Sequence, residues 1–165
     1  MRPPIKWGLV LGMAVGVENF VFGAAGWHAV YAMAAVFLVI AIAINVATVV
    51  TCLRETASER SWAGQLRSGL VLGLVGSLLV FAGSWFVSAV AFPDYFGEMA
   101  EGYREAYVSM GMSQEAVDEA VAGIAGASPV RSALEGVVGT MVTSLVAAAI
   151  AGIWLRKEDR SSALA

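Results

Sequence analysis

Two uninterrupted apolar runs constrain this chain more than any other feature. Ala29 to Leu53 and Ser68 to Phe92 each hold 25 residues without one Asp, Glu, Lys or Arg. About 20 apolar residues in a helix cross a hydrocarbon core of ~30 Å. Two more runs extend the pattern: Trp7 to Trp27, interrupted by Glu18 and Asn19, and Ser132 to Leu155, with Glu135 near its start. Spans are therefore expected at about residues 7–27, 29–53, 68–92 and 132–155. Each must be helical, because a backbone exposed to lipid has to satisfy its own hydrogen bonds. Composition agrees, with 59% hydrophobic and 14% charged residues, where a soluble domain carries about a quarter charged. The expected fold is all-α: a polytopic membrane protein forming a single membrane domain over residues 1–165. The first run shares features with a secretory signal peptide, since Arg2 and Lys6 precede it and "VFGAAG" offers small residues. Glu18 and Asn19 lie too far along to belong to the apolar core of such a signal, so a retained span is expected.

Basic residues sort by side. Arg2, Lys6, Arg54, Arg60, Arg67, Arg156, Lys157 and Arg160 flank one set of run ends, while Arg104 and Arg131 lie at the other. The positive-inside rule then places both termini in the cytoplasm, and the bacterial inner membrane is the expected location. Most tryptophans sit near run ends, as an interfacial belt requires, with Trp85 inside span three as the exception. The segment from Pro93 to Pro129 breaks this pattern, with seven acidic residues and one arginine. It reads as an external, amphipathic helical hairpin over residues 94–127, between spans three and four. Its first helix carries an apolar stripe through Phe96, Met99, Tyr103, Ala106, Tyr107 and Met110. Asp94 is placed to cap that helix, Gly111 to stop it and Ser113 to cap the second, which Gly126 and Pro129 end. A lid over the span ends is preferred for this hairpin, and a docking surface built on Tyr103, Tyr107 and Met110 is the alternative.

The order "FPDYF", acidic stretch, "GMSQEAVDEA", proline and a last span ending in basic residues resembles the bacterial family catalogued as domain of unknown function 4199. The resemblance covers nearly the whole length and is weakest in the first two spans. It implies a four-span integral membrane protein without established activity. It brings no catalytic residues and no cofactor.

Glu18 raises the sharpest question of chemistry. It lies 12 residues after Lys6, about 18 Å along a helix. Counting inward from other basic residues puts Asn45, Ser77, Thr143 and Ser144 at similar depth, forming one intramembrane polar layer. Glu18 and Asn45 are expected to face inward within direct or water-mediated hydrogen-bond reach. Three readings of Glu18 stand: an ion, proton or ligand site; interhelical hydrogen bonding; or an early end to span one that leaves it at the interface. Gly8, Gly12 and Gly16 in span one, and Gly69 and Gly73 in span three, have the spacing that lets helices approach closely. Packing within one chain is preferred for them over an oligomer contact. A shared "GLVLG" in spans one and three suggests two parallel helix hairpins.

His28, beside Trp27 at a turn, is read as an interfacial polar residue, and Arg131 is placed to pair with Glu135 one turn on. The lone Cys52 makes no internal disulfide. No metal, cofactor or catalytic residue is expected, and no basic patch for nucleic acid is seen. The expected partners are the lipid bilayer and other membrane-protein subunits. The reading is a non-enzymatic accessory or assembly subunit, with a small transporter or channel using the Glu18 layer as the alternative.

Overall fold

Pro3 and Pro4 open the first helix, where a missing N–H costs nothing and the ring presets φ; α1 then runs Pro3–Ala24. The computed structural model describes residues 1–157, so Arg160 lies outside the described residues. Gly26 (φ 69°) and a short 3-10 turn, Trp27–Ala29, reverse the chain into α2, Tyr31–Glu55. Next comes α3, Trp62–Phe86, extended by a π-helical turn over Val87–Ala91 that closes with Phe92 N–H donating to the Val87 carbonyl at 2.9 Å. The hairpin follows as α4, Tyr95–Ser109, and α5, Gln114–Ala125; α6, Pro129–Trp154, completes the fold. The protein is all-helical among the described residues, and α1, α2, α3 with its π turn, and α6 are each long and apolar enough to cross a membrane. It is a multi-pass membrane protein.

Helix boundaries shift from the sequence expectation, α1 starting at Pro3 rather than 7, and two of the shifts share a cause. The third span begins at Trp62 rather than 68, with Ser61 Oγ accepting from the Gly64 N–H at 3.4 Å. Gln65 and Arg67 therefore belong to a helix, and the connection is only residues 56–61. Pro129 starts α6 rather than ending the hairpin. In both places polar residues sit in the terminal turns of a longer helix, which an apolar-run count leaves out.

The four long helices pack in the ring order α1–α3–α6–α2. Helices joined by the basic connection, α2 and α3, barely meet, whereas α3 packs extensively on both α1 and α6. Parallel α1 and α3 lie side by side, as do parallel α2 and α6, in keeping with two hairpins laid together. Glycine permits the closest approaches. A Cβ on Gly8 would fall 2.8 Å from the Leu72 carbonyl oxygen, and one on Gly12 2.9 Å from that of Gly76. Gly69 and Gly73 do the same job against α6, meeting Ala148 and Ser144. A side chain at Gly16 would meet nothing within 4 Å, although its Cα lies 3.4 Å from where a Cβ on Gly83 would stand. The core these contacts enclose contains Leu11, Val49, Leu53, Leu72 and Ala148. Large apolar side chains such as Met13, Leu78 and Val138 point outward, as they would into lipid.

The start of α1, the end of α6, the 56–61 connection and most of the described basic residues gather at one end, called here the basic end. Gln65, wholly buried, joins three helices there. Its Nε2 donates to the Leu53 carbonyl at 3.1 Å and the Leu155 carbonyl at 2.6 Å, and its Oε1 accepts from Thr56 Oγ1 at 2.9 Å. The Leu155 carbonyl is a free acceptor at the end of α6, whereas the Leu53 carbonyl also accepts from the Thr56 N–H at 3.2 Å. Lys6 and Glu55 form an ion pair at 2.7 Å across α1 and α2.

Candidate functional site

The opposite end carries the hairpin, seated by a backbone contact. Gly102 on α4 lies against the Ala29 carbonyl so closely that no Cβ would fit between them. Tyr31 at the start of α2 meets the rings of Tyr103 and Tyr107 edge-on, at 5.2 and 5.7 Å between centroids. Both tyrosines of the expected partner surface are thus half-buried within the chain, while Met110 is exposed. His28 is not an exposed interfacial residue. It is buried, stacked on Tyr95 of α4 at 4.3 Å and 16°. The Glu98 carboxylate stands 3.0 Å from His28 Nε2, without the alignment of a hydrogen bond. Burial, and secondarily Tyr103, pushes the Tyr95 phenol up to about 12, so it stays neutral.

Tyr95 also caps a cleft of about 370 Å³ between the long helices, within the ~300–1,000 Å³ of typical ligand sites. Its walls come from the hairpin-end halves of the helices: Val15 and Asn19 of α1, Phe37 to Asn45 of α2, Val80 and Ser84 of α3, and Ser132 to Thr143 of α6. At its floor Asn45 Nδ2 donates to the Thr140 carbonyl at 3.2 Å, and Ser144 Oγ donates to Asn45 Oδ1 at 3.1 Å. These two bonds tie α2 to α6. Higher up, Asn19 Nδ2 donates to Ser84 Oγ at 3.0 Å, tying α1 to α3. The π turn sets Ser88 on the wall, its hydroxyl donating to the Ser84 carbonyl at 2.9 Å. Glu135 is the one carboxylate in the lining; it is exposed and accepts from Arg131 Nε at 3.3 Å, the expected pairing.

The expected polar layer is thus split. Asn45 and Ser144 meet, and Thr143 lies beside them on the cleft wall. Glu18 and Asn45 share no hydrogen bond, because both sides of the Asn45 amide are engaged by α6. Glu18 is buried with neither carboxyl oxygen bonded, and it does not line the cleft. Ser77 donates back to Leu74 on its own helix at 3.0 Å. It lies one turn from Gly73, which meets Ser144, and so shares the depth of the Asn45 bonds. Glu18 lies further toward the hairpin end, because Gly8 and Gly12 pack at Leu72 and Gly76 and thus set Lys6 deeper than Arg67. Asn19, which was noticed only as a break in an apolar run, is the polar α1 residue that lines the cleft, beside Val15.

A family model described as protein of unknown function (DUF4199) matches residues 6–157. The chain belongs to this family. No curated protein and no solved structure matches it. The DUF4199 match takes in α1 from Lys6 onward, the other three long helices and the hairpin, so the cleft and its cap lie wholly inside the family's region.

Proposed function

We propose that this DUF4199 protein is a non-enzymatic accessory or assembly subunit that meets other membrane proteins through its hairpin, with both termini cytoplasmic and the hairpin outside a bacterial inner membrane. The observation supporting this reading is that the hairpin is anchored on one side and free on the other. Gly102, Tyr103 and His28 hold its inner side, while the tip residues Val108, Met110 and Met112 are exposed between acidic faces. A partner therefore meets a pre-ordered surface and pays little ordering entropy on binding. The transporter reading drew on a carboxylate set in a polar layer, and Glu18 stands apart from the cleft that would serve it.

The test is a photo-crosslinking residue at Met110 in native membranes. A discrete protein adduct, lost when Val108→Asp is added and retained when Leu78→Ala is added, supports the reading. Adducts to lipid alone, or a protein adduct indifferent to Val108→Asp, overturn it.

A further inference from the structure

We infer that the cleft is a lipid site: it takes one acyl chain of a zwitterionic phospholipid sideways between α2 and α6, with the headgroup against Arg131 and Glu135. This inference is independent of the hairpin's protein partner.

The direction of entry comes from the wall residues. Leu38 and Ile42 on α2 line the cleft yet are 58% and 41% exposed, and Gly139 opposite them on α6 is exposed as well. The same residues therefore face both the cleft and the surroundings of the helices, so the opening is lateral. Tyr95 closes the hairpin end, and the Asn45 bonds to Thr140 and Ser144 close the other. In a chain whose long helices cross a bilayer, a lateral opening faces lipid.

Length narrows the guest. Its wall on α6 runs from Ser132 to Thr143, about 16 Å along the axis. One leaflet of a ~30 Å hydrocarbon core is about as deep. A single extended acyl chain lying along this wall matches that length.

Charge at the mouth selects the headgroup. Arg131 and Glu135 are 83% and 70% exposed at the end of α6 where the cleft begins, with opposite charges 3.3 Å apart. A guanidinium pairs readily with a phosphate, and the carboxylate offers a place for an ammonium group. The mouth is neutral overall and lies beneath an acidic hairpin. An anionic headgroup therefore gains less there than a zwitterionic one. Ser132 places a hydroxyl at the same level for an ester carbonyl.

The full chain is reconstituted in nanodiscs of equimolar phosphatidylethanolamine and phosphatidylglycerol, released into mild detergent, and examined by native mass spectrometry. The expected result is one phosphatidylethanolamine retained per chain, with Gly139→Leu lowering retention by about tenfold at unchanged helix content. Position 139 lines the cleft and has open space for a side chain, so the leucine occupies the guest's volume without a clash. Arg131→Ala with Glu135→Ala should abolish the headgroup preference. No retained lipid, equal retention in wild type and Gly139→Leu, or preference for phosphatidylglycerol overturns the proposal. Should Gly139→Leu misfold, a phosphatidylethanolamine with a photoreactive tail decides the matter in the wild type. Adducts concentrated at Leu38 and Ile42 support the site, and labelling no denser than at Leu78 on the lipid-facing surface overturns it.

Discussion

Gln65 is the side chain on which the basic end depends. Its amide occupies two helix-end carbonyls and a threonine hydroxyl in a place that water does not reach. Leaving buried acceptors unpaired costs about 1–3 kcal/mol each. Leu53 keeps its Thr56 donors, so Gln65→Leu strips the Leu155 carbonyl of its partner and should lower stability by roughly that amount. Unfolding of the purified protein in mixed detergent and SDS measures this, and a variant as stable as wild type would show that the three bonds contribute nothing. Gly12 makes the matching case for packing. Its missing Cβ leaves room for the Gly76 carbonyl, and Gly12→Ala should cost about 1–3 kcal/mol through overpacking. Gly16→Ala, with open space at the same spacing, should be close to neutral in the same assay.

The hairpin is the element whose behaviour can be separated from the rest. Ala100, Val117 and Val121 form its small core. Outside that core Arg104 of α4 donates to Asp118 Oδ1 of α5 at 2.7 Å, and Gln114, one turn earlier on α5, donates to the same oxygen at 3.2 Å. These hydrogen bonds, the Arg104 bond first, hold the Asp118 carboxyl below its ordinary value of 3.8. A depressed carboxylate pKa stabilises the paired form above the ordinary value, and that contribution is lost as pH falls through the lower, folded value. Amide exchange at Ala116 to Val121 should therefore quicken below about pH 4 more in wild type than in Asp118→Asn. The same acid dependence in both would exclude this pair as its source. The pair is half exposed, so the effect is small. Seating on the long helices is a different matter, because Gly102 meets backbone. Gly102→Leu should lift α4 from the Trp27–Ala29 turn and open Tyr103 to quenchers while leaving α1, α3 and α6 packed. The hairpin's existence, caps and stop were legible in local signals: Ser113 accepts from the Ala116 N–H at 3.3 Å and Gly111 adopts φ 79°. Which way its stripe faced was not. Tyr103 and Tyr107 turn inward because Tyr31, over 70 residues earlier, supplies the surface they cover. Asp94 stands at the expected cap position without making the capping bond.

At the scale of the molecule, a threading with both termini on one side makes a direct prediction. With Cys52→Ser as background, a single cysteine at Arg60 and another at Met110 should label from opposite faces of sealed vesicles. Labelling from one face would break the arrangement of four crossings. The crossings themselves were determined by the sequence alone, since a charge-free run of 25 residues has one low-energy home and one backbone conformation in it. Helix identity, the hairpin and the use of glycine for close contact are likewise local properties of composition and spacing. Only the tertiary structure decided the ring order and, with it, the site. Depth along a helix can be counted, but rotation about its axis and the level of its first turn are set by packing against neighbours. For that reason Asn45 turned to α6 instead of to Glu18, and Asn19 rather than Glu18 came to face the cleft.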